Sequence, residues 1–281
     1  MKKILLGILV CGCLTKSLAQ VNFQLDLMPD RKTYVVSMVS TETWAYPQNI
    51  TGTAQVTVRI PANTRFTAGR ITSLQQGVQW LDNARIESPA ADPTHDYVSF
   101  SLVTMATKNI PYVRGVETPL FTFQNLQNDC VGKVELVDNN ETTVKNVMAA
   151  GFNVSNHISV LAKKGEAFTA NQSSVNRVVD CSQSTATQET NGLSVLNVYP
   201  TPATDVLTIE WTAQTAADAQ NTVLVVTNTL GQEVLTQKIG PLSIKGTFNK
   251  IELNVSTWAN GMYLFHFVND KGTSTAQKIL K

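Results

Sequence analysis

Five aromatic residues, Trp44, Tyr46, Trp80, Tyr97 and Tyr112, are the side chains in this sequence best suited to gripping a sugar. A planar ring covers the apolar face of a pyranose while neighbouring polar groups take its hydroxyls. Trp44 and Tyr46 fall in residues 43–49, a loop-like stretch with Pro47, where exposure is expected. Trp80 is expected in a core or at a strand end, the usual place of tryptophan. We therefore take Trp44, Tyr46, Trp80 and Tyr112 as ligand-binding candidates, each with core packing as its alternative. Asp138-Asn139-Asn140-Glu141 offers oxygen ligands of the kind calcium prefers, but without the spacing of a helix-loop-helix site, and reads as a solvated hairpin turn. Asp92 and Asp96 flank His95 within PAADPTHD, which reads as a Pro-rich turn rather than an acid–base pair. There is no G-x-S-x-G elbow, no H-E-x-x-H, no Gly-rich phosphate loop and no Cys with an evident His partner. No catalytic residue, metal or cofactor is predicted, and a noncatalytic protein is expected. A glycoside hydrolase, which needs only two carboxylates at the right separation, stays as an alternative.

Residues 1–19 place Lys2 and Lys3 before a short apolar run and end on Ser17-Leu18-Ala19, the layout of an export signal cut after Ala19. Val10-Cys11-Gly12-Cys13 loosely resembles a lipoprotein box that would acylate Cys13 instead, although Ser17–Ala19 offers the better ordinary site. Losing residues 1–19 removes three lysines and no acid, which turns a net charge of +1 into −2. A near-neutral chain without a basic cluster lacks the footprint of a nucleic-acid binder. No later segment is apolar for the ~20 residues that a membrane-spanning helix needs, so the mature chain carries no transmembrane segment. Cys11 and Cys13 leave with the signal, and the remaining pair, Cys130 and Cys181, is expected to form a disulfide in an oxidising compartment, with two buried free thiols as the alternative.

These candidates are carried by short alternating strands, and no stretch sustains a helical repeat for three turns. Residues 53–60 (TAQVTVRI) set Ala54, Val56, Val58 and Ile60 on one face. Residues 97–103 (YVSFSLV) do the same with Val98, Phe100 and Leu102. Residues 32–39, 120–123, 134–137 and 158–161 complete an all-β sandwich pattern. Residues 182–192 are small and polar and read as a linker. Strands then resume at 206–211, 222–228, 233–238, 250–255, 262–268 and 275–280, with Gly231 and Gly261 supplying turns. The expected organisation is a signal at 1–19, a larger sandwich at 20–181, the linker, and a smaller sandwich at 193–281.

Four blocks of that second sandwich carry a resemblance. Val198-Tyr199-Pro200-Thr201-Pro202-Ala203-Thr204-Asp205, then Asn228-Thr229-Leu230-Gly231-Gln232-Glu233-Val234, then Trp258-Ala259-Asn260-Gly261-Met262-Tyr263-Leu264, and finally Lys278-Ile279-Leu280-Lys281 resemble the C-terminal sorting domain (type A) of the type IX secretion system. Thr201 stands where that family usually has Asn. The residues carried over are Pro200, Pro202, Asp205, Gly231, Gly261, Tyr263, Lys278 and Lys281, on an immunoglobulin-like sandwich. Pro200 and Pro202 are expected to mark an extended entry into the first strand, and the terminal lysines to stay solvated. The resemblance implies passage through the periplasm, recognition by the outer-membrane translocon, and a sortase-like peptidase that cuts in the linker. The product is then secreted or attached to the cell surface.

Residues 34–40, then Thr51-Gly52-Thr53-Ala54-Gln55-Val56-Thr57-Val58 and later Pro119-Leu120-Phe121-Thr122-Phe123, make the larger domain similar in layout to cohesin-like and carbohydrate-binding sandwiches of jelly-roll order. That likeness implies a glycan or a surface protein as partner, with a surface structural or assembly role as the alternative. Mass spectrometry of the exported protein should find Gln20 as its first residue, and any other start refutes the signal cut.

Overall fold

The computed structural model describes residues 21–28, 30–103, 110–127, 130–163, 165–171, 177–182, 192–213, 215, 218, 222–239, 249–274 and 276–281. The signal at 1–19 and most of the linker, residues 183–191, lie outside the described residues.

The first half runs β1 (Val21–Leu27), β2 (Thr33–Ser40), β3 (Thr51–Pro61), β4 (Ala68–Ser73), β5 (Gln79–Ile86), β6 (His95–Val103) and β7 (Glu117–Asn125). It continues with β8 (Lys133–Leu136), α1 (Thr142–Ala149), β9 (His157–Val160), β10 (Gly165–Glu166), β11 (Phe168–Asn171) and β12 (Val178–Asp180). One sheet has the order β11-β1-β2-β7-β4, and the facing one β10-β9-β3-β6-β5 with β8 on β3 and β12 on β8. The chain passes repeatedly from one sheet to the other, as in a sandwich. Pairing is antiparallel except that β1 lies parallel to β11.

The core follows from the period-2 alternation. Ala54, Val56, Val58 and Ile60 of β3 and Val98, Phe100 and Leu102 of β6 face Tyr34, Val36 and Met38 of β2 and Leu120, Phe121 and Phe123 of β7. On the outer side of β3 and β6 the hydroxyls of Thr57 and Ser99 bond each other at 2.9 Å. There Tyr97 packs with Val137, Val144, Val147 and Val154. Val144 and Val147 belong to α1, a helix absent from the sequence reading. At eight residues it is too short to display a sustained apolar repeat, and its burial against Tyr97 is a long-range effect.

The second half contains β13 (Leu193–Tyr199), β14 (Val206–Ala213), β15 (Val223–Asn228), β16 (Glu233–Lys238), β17 (Asn249–Asn254), β18 (Met262–Asn269), β19 (Gly272–Thr273) and β20 (Gln277–Leu280). The sheet β13-β14-β17 faces β16-β15-β18-β19, with β20 also on β18. Leu207, Ile209, Trp211, Leu224, Val226, Phe265, Phe267 and Ile279 form a core separate from the first. The chain is thus all-β in two sandwiches. The prolines depart from expectation: Pro200 and Pro202 connect β13 to β14 instead of leading into the first strand, because residues 193–199 already pair with β14.

Cys130 and Cys181 are disulfide-bonded with Cα atoms 5.6 Å apart. Cys181 is buried, and its backbone N–H donates to the Gly132 carbonyl, so the bridge pins the last described residues of the first sandwich beside β8. The bridge spans 51 positions, so replacing both cysteines by alanine should cost about 4 kcal/mol on chain-entropy grounds, read from urea unfolding. Trp80→Ala should cost about 3–5 kcal/mol in the same measurement, since it empties a core site. A loss below about 1 kcal/mol in either case contradicts the packing described.

Candidate functional site

The sandwich rim presents the aromatic candidates unevenly. Trp44 and Tyr112 form an isolated bridge, with the Trp44 backbone N–H donating to the Tyr112 carbonyl at 3.0 Å. Their rings lie 5.0 Å apart at 49°. Tyr112 is only 1% exposed, and its hydroxyl pairs with that of Thr51 at 2.8 Å. Burial therefore drives the Tyr112 pKa up, against the bond to Thr51 that lowers it. Trp44 is half-buried above this base; its Nε1–H donates to Glu42 Oε2 at 3.1 Å, and Lys163 Nζ stands 5.8 Å from the ring centroid. Lys163 also faces Glu42 at 3.7 Å. Two residues on, Tyr46 is 67% exposed. Trp44 and Tyr112 are therefore brought together, with Tyr112 as the floor, while Tyr46 lies exposed two residues along the same loop. Trp80 is elsewhere, 1% exposed and stacked on Phe121 at 4.6 Å, so it is a core residue that no surface ligand reaches.

The carboxylates weighed for chemistry are held by internal donors. Asp92 accepts from the Tyr97 hydroxyl at 2.7 Å and the Thr94 hydroxyl at 2.8 Å, with His95 Nδ1 at 3.0 Å. Burial alone would raise its pKa, but these hydrogen bonds hold it below the ordinary carboxylate value. Asp96 takes Arg85 at 2.8 Å and the Ser88 N–H at 3.0 Å. Glu141 accepts from Arg59 on one oxygen and Arg177 on the other, each at 2.6 Å, and Arg59 reaches Glu135 as well. Among the described residues no group of three or more His, Cys, Asp or Glu is placed to hold a metal ion.

In the second sandwich the four blocks, far apart in sequence, meet at one end. Gly231 has φ +78° in the turn that joins β15 to β16, where the Asn228 side chain accepts from the N–H groups of Leu230 and Gln232. Asn228 in turn pairs with Tyr263 across β15 and β18. Met262, Tyr263 and Leu264 pair with Leu280, Ile279 and Lys278 of β20. Gly261 and Lys281 exchange both backbone hydrogen bonds, at 3.0 and 2.9 Å. The Ala203 N–H donates to the Leu280 carbonyl at 2.8 Å, the Lys281 ammonium to the Thr204 carbonyl, and the Val255 N–H to the Asp205 carbonyl at 2.8 Å. Tyr263 donates its hydroxyl to the Ala259 carbonyl at 2.7 Å and packs on Trp258. Each block thus builds a turn or a strand end at a single pole of the domain.

Lys278 corrects the sequence reading, which left it solvated. Its side chain is 25% exposed, and Nζ lies 2.6 Å from Asp26 and 3.1 Å from Glu117, both in the first sandwich. Burial works against the lysine's charge, yet the two acids outweigh it and raise its pKa, while burial lifts the Asp26 carboxyl in spite of the lysine. Nothing within residues 277–281 announces this partner, since both acids lie more than 150 positions upstream.

Among the described residues no helix is long and apolar enough to cross a membrane. No curated protein matches the chain. Among solved structures it is similar to that described as "Crystal structure of dimeric latent PorU from Porphyromonas gingivalis", at 14% identity and a TM-score of 0.27, over 94% of this chain and 20% of that one. The present chain therefore spans about a fifth of that protein's length. Residues 197–281 match the family described as "Secretion system C-terminal sorting domain". The pole built by the four blocks thus lies within the segment that matches this sorting-domain family, and such a domain implies export by the type IX secretion system to the cell surface or beyond.

Proposed function

We propose that the protein is a noncatalytic binding protein, secreted or held at the cell surface, whose N-terminal sandwich binds carbohydrate on its Trp44–Tyr46 rim. One observation carries the reading: a half-buried Trp44, steadied by Glu42 and Lys163, lies two residues before an exposed Tyr46 on the same loop. A fixed ring and an exposed one on the same loop offer apolar faces at low entropic cost, with an acid and an ammonium beside Trp44 for sugar hydroxyls. Export begins with residues 1–19 at the inner membrane. The sorting domain engages the outer-membrane translocon, and a sortase-like peptidase then cuts within residues 183–194 and releases the mature chain or joins it to a surface glycolipid. The cohesin-like layout belongs to the same reading. A surface assembly role through another protein is the second reading, favoured by β2, whose outward-facing residues are buried as well as its core-facing ones.

Two measurements test this. A chain lacking residues 193–281 should remain in the periplasm, and secretion equal to the full chain sinks the export assignment. On a glycan array the full-length protein should bind a defined carbohydrate class, and Trp44→Ala should weaken that binding about tenfold or more, the equivalent of one lost stacking contact, with unchanged unfolding. Silence across a broad array refutes the carbohydrate assignment.

A further inference from the structure

Strand β2 is buried at seven of its eight positions, whereas a strand with one face in water should alternate. Tyr34, Val36 and Met38 face the core. Val35, on the opposite face, packs with Met28 of the same domain and with Met262 and Leu280 of the sorting domain. Beside them the Lys278 ammonium sits between Asp26 and Glu117, and Glu117 also accepts from the Ser37 hydroxyl at 2.6 Å. Asp26 and Val35 are register partners, so acid and apolar side chain stand next to each other. Lys278 and Leu280, two apart on β20, point the same way. The cover is thus a strand bearing a cation and an aliphatic side chain in i, i+2 spacing.

We propose that this outer face of β1, β2 and β7 is a binding surface for a partner protein's strand carrying Lys or Arg two residues before an aliphatic side chain, and that the sorting domain keeps it closed until the linker is cut. Charge complementarity selects the occupant. Two carboxylates flank the apolar residues, and leaving them desolvated without a cation is costly. The way of closing follows from scale. A few apolar contacts and one partly exposed ion triad make a weak interface. A linker of about ten residues supplies an effective concentration near millimolar, enough to seat a weak contact within one chain and lost on cleavage. What remains is an acid-rimmed apolar patch of the kind that marks protein interaction sites.

The proposal rests on tail removal, so its test introduces the cut in vitro and does not depend on what the cell does; the periplasmic retention assay can fail without it, and the reverse. A protease recognition sequence is placed within residues 183–191, and the folded, disulfide-bonded full chain is cut. Each half has its own core, and circular dichroism after the cut should find the fold of each half unchanged. At micromolar concentration the halves should separate on gel filtration; halves that stay together overturn the closing role. A displayed library of two-stranded hairpins is then selected on the freed first domain, with the uncut chain as counter-selection. Selected hairpins should carry Lys or Arg two residues before an aliphatic side chain. They should bind the uncut chain, and a freed Asp26→Lys/Glu117→Lys domain with unchanged unfolding, at least about tenfold more weakly, as like-charge placement dictates. Failure to select any hairpin, selection without the basic residue, or equal binding to either comparator overturns the proposal.

Discussion

The first sandwich depends on one aromatic seam. Trp80 stacks on Phe121 at 4.6 Å, Phe100 lies 5.1 Å from Phe121 and 4.8 Å from Phe123, and Tyr34 stacks on Phe123 at 5.0 Å. Each ring buries of order 150–250 Å², and each ring pair contributes about 0.5–1.5 kcal/mol beyond that burial. The seam joins β5 and β6 of one sheet to β2 and β7 of the other, and it fixes the face each residue takes. A slip of one residue would send Phe121 and Phe123 outward and Thr122 inward, so the register is held firmly. Because Phe121, Phe123, Tyr34 and Val36 must face inward, Val35 is compelled to face outward. The outer surface is in this sense a by-product of the core.

The same seam divides the aromatic residues into two uses. Trp80 is spent on the core, which leaves the 43–49 loop as the place where rings can meet solvent. Trp44 is anchored from below by Tyr112, whose hydroxyl is itself fixed by Thr51 at the start of β3. A rigid strand therefore holds the floor of the rim, and Tyr46 projects into solvent. The ion network of Arg59, Glu135, Glu141 and Arg177 acts at the opposite end of β3 and ties α1 and β8 to it. Glu141 occupies the helix N-cap without a side-chain capping bond, and its carboxylate serves the two arginines instead.

How much of this was legible follows from the range of each interaction. Alternation in 53–60 and 97–103 located β3 and β6 to within two residues, and 233–238 coincides with β16. Those signals are local, since period-2 burial is written into consecutive residues. Strand β1 went unread although Phe23 and Leu25 alternate, because it follows directly on the apolar export signal and its pairing with β11 joins residues nearly 150 apart. The order of the four sorting blocks was readable, but not their meeting point, which depends on β15 and β20 both pairing with β18. Trp44 and Trp80 cannot be told apart by residue type, and only the seam separates rim from core. Lys278 was misread for a related reason: a lysine three residues from the end of the sequence is solvated by default, and only two distant acids make it otherwise.

That lysine also ties the two sandwiches' chemistry together. Ile279 points into the sorting domain's core, so Lys278 and Leu280 must project from the other face of β20, where the first sandwich lies. The residues that close the pole of the sorting domain are consequently those that cover the first sandwich. Three formal charges meet there, two negative and one positive, and the imbalance lies on the side of the first domain. Detachment would return the ammonium to water with its own core intact. It would leave the other side with two carboxylates close together against Met28 and Val35, an arrangement that water tolerates but that favours a cation over any neutral replacement. The asymmetry follows from the register of β1, β2 and β7, which the aromatic seam imposes from the far side of the same sheet.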